Sequence, residues 1–103
     1  MYSESKVEGD CRDYARDRDC FLLKLASAFF VGIPDRMIIG PNKTSFFIEF
    51  KKVGKKPSKR QKFVHKLFRD LGFPVYVIDE YKNFKEILDA ELQKAEAQVS
   101  RKS

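Results

Sequence analysis

Glu49 and Lys51 lie on a segment whose other members are almost all apolar, Ser45–Lys51 (SFFIEFK). Side chains alternate between the faces of an extended strand, so Phe47, Glu49 and Lys51 point one way while Phe46, Ile48 and Phe50 point the other. A carboxylate and an ammonium on a face that should be buried need partners or a metal ion. Taken alone, they also read as an internal Glu–Lys ion pair or as a strand end emerging into water. A second run, Arg36–Gly40 (RMIIG), precedes this one across Pro41-Asn42-Lys43-Thr44. Two strand-like runs around a Pro-Asn turn form an antiparallel hairpin. A turn centred near Asn42 sets Asp35 opposite Glu49 at the open end of the ribbon, with Cβ atoms about 5 Å apart. Two like charges at that distance repel unless a cation stands between them. A hard ion that takes oxygen ligands, keeps several waters and accepts phosphate oxygens describes Mg²⁺. Asp35 by itself also reads as part of a Pro-Asp turn.

Further charges gather around this pair. Glu4 shares a helical stripe with Val7, Cys11 and Tyr14, and Glu8 follows one turn later. Either can lean over the mouth of the hairpin, or serve only as a solvated charge at a helix start. Lys24 interrupts the apolar run Cys20–Ala26 (CFLLKLA), where a snorkelling lysine is the plain alternative. From Lys51 to Arg69 there are nine basic residues and no acidic one. A block of one sign suits a polyanion such as a nucleic-acid backbone, or makes a solvated lysine-rich face. His65 lies four residues after Gln61 and either faces the site or packs like an ordinary helix histidine.

The elements that must position these side chains follow from periodicity and capping. A first helix is expected over residues 3–19, with Ser3 as its N-cap and Gly9 weakening it. Cys20–Ala26 is a short strand and Ala26–Pro34 a loop. The strand Ser45–Lys51 is apolar on both faces and therefore central, covered on both sides. Ser58 with Gln61 makes a capping box that opens a helix whose apolar face is Phe63, Val64, Leu67, Phe68 and Leu71, ending at Gly72. Phe73–Ile78 is a fourth strand, with Pro74 tolerated near its start. Asn83 with Glu86 begins a last helix, carrying Phe84, Ile87, Leu88, Leu92, Ala95 and Val99 in one stripe. The order is helix, three strands, helix, strand, helix, an α/β sandwich around a small mixed sheet.

Composition limits the alternatives. The chain has 103 residues and a formal charge of +6, with 43% hydrophobic and 35% charged residues. That balance excludes a disordered tail, and no apolar run approaches the ~20 residues of a membrane span. The length suits one domain, residues 1–103, closing in a C-terminal helix and short basic tail over 81–103. The polar start MYSESKVEGD lacks the apolar core of a signal peptide. Cys11 and Cys20 neither staple a small scaffold nor form a zinc site alone, and read as reduced cytoplasmic thiols.

The segment GIPDRMIIGPNKTSFFIEFKK resembles the PD-(D/E)xK nuclease signature and, more narrowly, the virus-type replication-repair nuclease (VRR-NUC) domain. That family's pattern has an early helix Glu, a strand Lys, a G-x-PD hairpin and an apolar-flanked E-x-K. A Gly, a Ser-x-x-Gln helix start and L-x-x-x-G-F-x-V-x-V follow. Here these elements are Glu4, Lys24, Gly32-Ile33-Pro34-Asp35, Phe47-Ile48-Glu49-Phe50-Lys51, Gly54, Ser58 with Gln61, and Leu67 through Val77. The resemblance spans roughly residues 4 to 80 in the right order. Phe50 stands where many relatives have Leu, and Ala28-Phe29-Phe30 occupies a loop that is often small, polar or basic. Glu4 is the better match to the helix carboxylate by its distance from Lys24, with Glu8 the alternative.

The resemblance implies a restriction-endonuclease-like αβββαβ core, with a mixed sheet flanked by helices and an extra C-terminal helix. It implies a Mg²⁺- or Mn²⁺-dependent endodeoxyribonuclease. Asp35, Glu49, the backbone carbonyl of Phe50 and Glu4 would be metal ligands. Lys51 would orient the attacking water or stabilise charge on phosphorus, and Gln61 would bond the water or the phosphate. Lys24, Lys52, Lys55, Lys56, Lys59 and Arg60 would contact the nucleic acid. Standalone members resemble phage-encoded homodimers that cut four-way DNA junctions. That implies branched DNA as partner, no membrane and no organic cofactor, and Phe29 and Phe30 among ten Phe are candidates for the dimer contact. A non-catalytic nucleic-acid-binding module of the same fold and a nuclease for other DNA or RNA structures are the competing readings.

Overall fold

The computed structural model describes residues 5–26, 28 and 30–102. Helix α1 (Lys6–Arg16) begins at Ser5, whose hydroxyl accepts from the Glu8 backbone N–H and satisfies one of the orphan donors of the first turn. The expected cap Ser3 lies outside the described residues. Asp19, at φ 61°, turns the chain back so that the Cys20 N–H donates to the Ala15 carbonyl at 2.9 Å. Asp tolerates that left-handed conformation better than most residues.

Strands β1 (Phe21–Lys24), β2 (Arg36–Gly40), β3 (Thr44–Phe50) and β4 (Val75–Ile78) form one sheet in the order 1-2-3-4. The first three are antiparallel neighbours and β4 runs parallel to β3. A parallel pair needs a long crossover, which helix α2 (Lys59–Asp70) supplies. Helix α3 (Tyr81–Lys102) closes the chain. This mixed four-stranded sheet flanked by three helices is the expected restriction-endonuclease-like architecture.

One face of the sheet holds the core. Ile38, Phe46, Ile48 and Ile78 pack against Cys11 and Ala15 of α1 and Phe84 and Leu88 of α3. Both cysteines are free and buried there, and burial, with Asp10 adding, pushes the Cys11 thiol up to about 12. Helix α3 starts two residues before the expected Asn83 cap. The Phe84 N–H donates to the Glu80 carbonyl, and the half-buried Tyr81 ring packs edge-on against Tyr14 at 5.9 Å, so contacts from a distant helix extend α3 past the capping pattern. The basic tail continues this helix as far as Lys102.

The other face of the sheet is covered by α2 over β3 and β4. Phe47 meets Phe68 edge-on at 4.9 Å. The apolar face expected for α2 is only partly turned inward. Val64 is buried, whereas Phe63, Leu67 and Leu71 are exposed. The stripe that meets the sheet is Gln61, Val64, His65 and Phe68, at helical spacing and half polar. β3 is covered on both faces, with Phe46 and Ile48 buried on one and Glu49 on the other. Among the described residues no helix is long and apolar enough to cross a membrane.

Candidate active site

The β2–β3 hairpin pairs Arg36 with Ile48 and Met37 with Phe47. One further step along this register sets Asp35 beside Glu49, the pairing expected from the turn at Asn42. Asp35 is held from both sides. Its backbone carbonyl accepts from the Leu25 N–H at 2.8 Å, and its Oδ2 accepts from the Phe50 N–H at 2.9 Å. The loop that delivers it rests on α2. Gly32 has φ 96°, and a Cβ there would stand 3.0 Å from Arg60 Cγ and from Val64 Cγ2. Pro34 is buried next to it. The Gly-x-Pro-Asp order therefore has a steric origin: only glycine allows the close approach and the left-handed backbone together.

Glu49 is 2% exposed, and its carboxylate is surrounded by polar groups. Gln61 Nε2 donates to Oε2 at 3.3 Å, and His65 Nε2 lies 3.3 Å from Oε1. Lys51 Nζ stands 3.7 Å from Oε2. Lys51 itself is anchored by its backbone N–H, which donates to the Ile78 carbonyl at 2.9 Å. Burial first, then the charge and hydrogen bond of Asp35, push the Glu49 carboxyl up to about 8, with Lys51 opposing. Asp35 thus acts on the Glu49 carboxyl both through its charge and through a side-chain hydrogen bond. Burial, and then Arg69, lower the pKa of His65, which keeps its imidazole neutral.

No family model matches the sequence, and no curated protein does. Among solved structures, a chain titled "VRR_NUC domain" superposes with a TM-score of 0.75 over 82% of this chain and 91% of its own length, at 25% sequence identity. The chain folds as a VRR-NUC domain. The match supports a nuclease-type domain, a class whose fold is generally dependent on a divalent metal.

In this VRR-NUC-like fold, two carboxylates that repel one another and a nearby carbonyl are a donor set that fits a hard divalent cation. Mg²⁺ in particular binds through one or two carboxylates and fills the rest of its shell with water and phosphate. A strand residue's N–H and C=O leave on the same edge, so the Phe50 carbonyl faces the same side as the Asp35 carboxylate bonded to its N–H. Among the described residues, no three of His, Cys, Asp and Glu gather into a possible metal cluster. Glu4, the expected third carboxylate, lies outside the described residues. Glu8 instead pairs with the buried Arg36 at 3.2 Å. Glu8 also lines a cleft of about 410 Å³ with Phe50, Lys51, Lys52 and Asp79.

The basic residues divide by position. Lys52, Lys55, Lys56 and Lys59 are exposed on and after the turn that leaves Lys51, where Gly54 has φ 84° and the Lys55 N–H donates to the Lys52 carbonyl. Arg60 is exposed too, but its Nε donates to the Val31 carbonyl at 3.1 Å, so it braces the Asp35 loop. Lys24 pairs with Arg36 in the sheet, and Arg36 with Ile48, so Lys24 belongs to the face opposite Glu49. Gln61 keeps the expected capping box with Ser58 and also reaches Glu49, a contact that its sequence pattern did not indicate. The one sequence signal for His65 is its place one turn after Gln61. Arg36 carries no such local signal, yet its guanidinium stands over the Phe50 ring at 5.6 Å.

Proposed function

We propose that this protein is a Mg²⁺- or Mn²⁺-dependent endodeoxyribonuclease. Asp35, Glu49 and the Phe50 carbonyl would hold the cation, with Glu4 as a further carboxylate. The ion, when bound, supplies positive charge against the scissile phosphate and acidifies a water. The chain's own residues do the rest. Lys51 sits at the rim of the site, with its side chain 23% accessible, and stabilises negative charge developing on the phosphoryl oxygens. Gln61 fixes the Glu49 carboxylate from a helix end that is itself locked by its cap.

The observation that carries this reading is the convergence of Asp35 and Glu49 on one sheet face, where burial and then the neighbouring Asp35 raise the Glu49 pKa to about 8. A second observation supports a nucleic-acid partner. The first turn of α2 has no acidic residue and carries Lys59, Arg60 and Lys62. Cations at a helix N-terminus are unfavourable with the macrodipole, and an anion there relieves them. Lys52, Lys55, Lys56 and Lys59 would contact phosphates flanking the cut, positioning the strand without reading its sequence.

The same reading extends to a homodimer acting on branched DNA, such as four-way junctions, in the cytoplasm of the host cell during recombination or repair. Exposed Phe21, Leu23 and Ile39 on the part of the sheet that α2 leaves uncovered, together with Phe63 and Leu67 on α2, offer apolar surface for a second copy. Phe30 is 44% exposed beside Phe68, and Phe29 lies outside the described residues. Two sites related by a two-fold axis would nick two strands.

The test is cleavage of labelled junction, flap, duplex and single-stranded DNA with Mg²⁺ or with EDTA. Wild type should cut only with the metal, and Asp35→Ala and Lys51→Ala should lose at least about 100-fold. Cleavage that survives EDTA or Lys51→Ala would remove the mechanism. Binding without cleavage would mark a DNA-holding module instead.

A further inference from the structure

Two of the four side chains that α2 turns toward the sheet are apolar, Val64 and Phe68, and two end on one carboxylate. Gln61 Nε2 stands 3.3 Å from Glu49 Oε2, and His65 Nε2 stands 3.3 Å from Glu49 Oε1. The two side chains are one helical turn apart, so a single rigid element meets both oxygens. Gln61 cannot rotate freely, because its Oε1 accepts from the Ser58 N–H at 2.9 Å. His65 is 1% exposed, in a stripe where an apolar side chain would satisfy packing alone. A buried imidazole is costly unless it bonds to something, and here it is aimed at Glu49.

A carboxylate has about four lone-pair positions over its two oxygens. One donor on each oxygen fixes the plane of the group and leaves the remaining lone pairs in a set direction. We infer that His65 is a positioning residue: its Nε2–H, acting with Gln61, orients the Glu49 carboxylate for the divalent cation. The inference rests on the proposed metal role of Asp35 and Glu49. Residues that hold a ligand from behind in this way change metal affinity when they are lost, commonly about 10- to 100-fold.

The experiment is Mn²⁺ titration of the full chain without DNA, by calorimetry, on wild type, Asp35→Ala, His65→Leu and His65→Gln. Glutamine carries an amide donor near the Nε2 position, whereas leucine keeps bulk and removes the donor. Wild type should bind and Asp35→Ala should not. His65→Leu should bind about 10- to 100-fold more weakly, and His65→Gln within about threefold of wild type. Cleavage by His65→Leu should return toward wild type at saturating Mn²⁺, which a simple loss of packing would not produce. If His65→Leu fails to fold, His65→Asn replaces it: its shorter amide misses Oε1 and should give the same loss.

Equal affinity of wild type and His65→Leu would overturn the inference, as would equal loss in the Gln and Leu variants. If wild type itself binds no Mn²⁺, the metal reading fails and takes this inference with it.

Discussion

The backbone N–H of Phe50 donates to Oδ2 of Asp35 at 2.9 Å, tying the end of β3 to the residue just before β2. This bond completes the ribbon where ladder pairing stops, and it aims one acid at the other. Asp35 therefore has a structural task that can be separated from its charge. Asp35→Asn keeps a carbonyl acceptor for Phe50 and should fold with little loss of stability. Asp35→Ala strands the Phe50 N–H and should cost about 1–3 kcal/mol in denaturant unfolding. Both should abolish metal-dependent cleavage. Full activity in Asp35→Asn would show that the charge is not needed.

Gly32 and Gly54 both have positive φ, at 96° and 84°, but only Gly32 has atoms within 4 Å of where a Cβ would sit. Gly54→Ala should therefore cost only the left-handed backbone, about 1 kcal/mol. Gly32→Ala should cost more, about 2–4 kcal/mol, because Arg60 and Val64 must also move. It should reduce cleavage further by displacing Asp35. Equal unfolding free energies for the two variants would contradict the packing account of the Gly-x-Pro-Asp loop.

The β2–β3 pairing could be read from the sequence because a period of two and a Pro-Asn turn leave one register in which Asp35 meets Glu49. The α2 start could be read because Ser58 and Gln61 satisfy each other within four residues, with no tertiary information needed. Apolarity was a poorer guide to α2's inner face. Phe63, Leu67 and Leu71 are exposed, while Gln61 and His65 face inward, because the neighbour they meet is a carboxylate. The α3 start and the Arg36–Glu8 pair arise from contacts between elements distant in the chain, which local patterns do not encode.

Titration of Glu49 gives a prediction with a definite sign. Its pKa is raised from 4.5 to about 8 in the folded protein, chiefly by burial and then by Asp35. The folded state therefore holds the proton more tightly than the unfolded state. The resulting stability is complete below the unfolded value and is lost as pH rises through the folded one. In EDTA, Tm should fall as pH increases across that window, and Glu49→Gln should flatten the fall. Mg²⁺ should restore Tm most at the alkaline end. A wild-type Tm that rises with pH in EDTA would count against the buried acid pair.

Lys55 and Lys56 lie on the exposed turn and make none of the bonds that hold Asp35 or Glu49. Replacing both with Ala should weaken binding to all DNA sequences alike. The slope of log affinity against log salt should drop by about 2, one for each phosphate contact removed. Fluorescence anisotropy at several salt concentrations measures this. An unchanged slope would move the nucleic-acid path away from this turn.

The most direct measurement is an anomalous difference map from a crystal soaked in Mn²⁺. The account predicts a peak between the carboxylates of Asp35 and Glu49, with oxygen distances near the ~2.0–2.2 Å of a small hard cation. A map with no peak there, from crystals of protein that cleaves DNA in Mn²⁺, would contradict it.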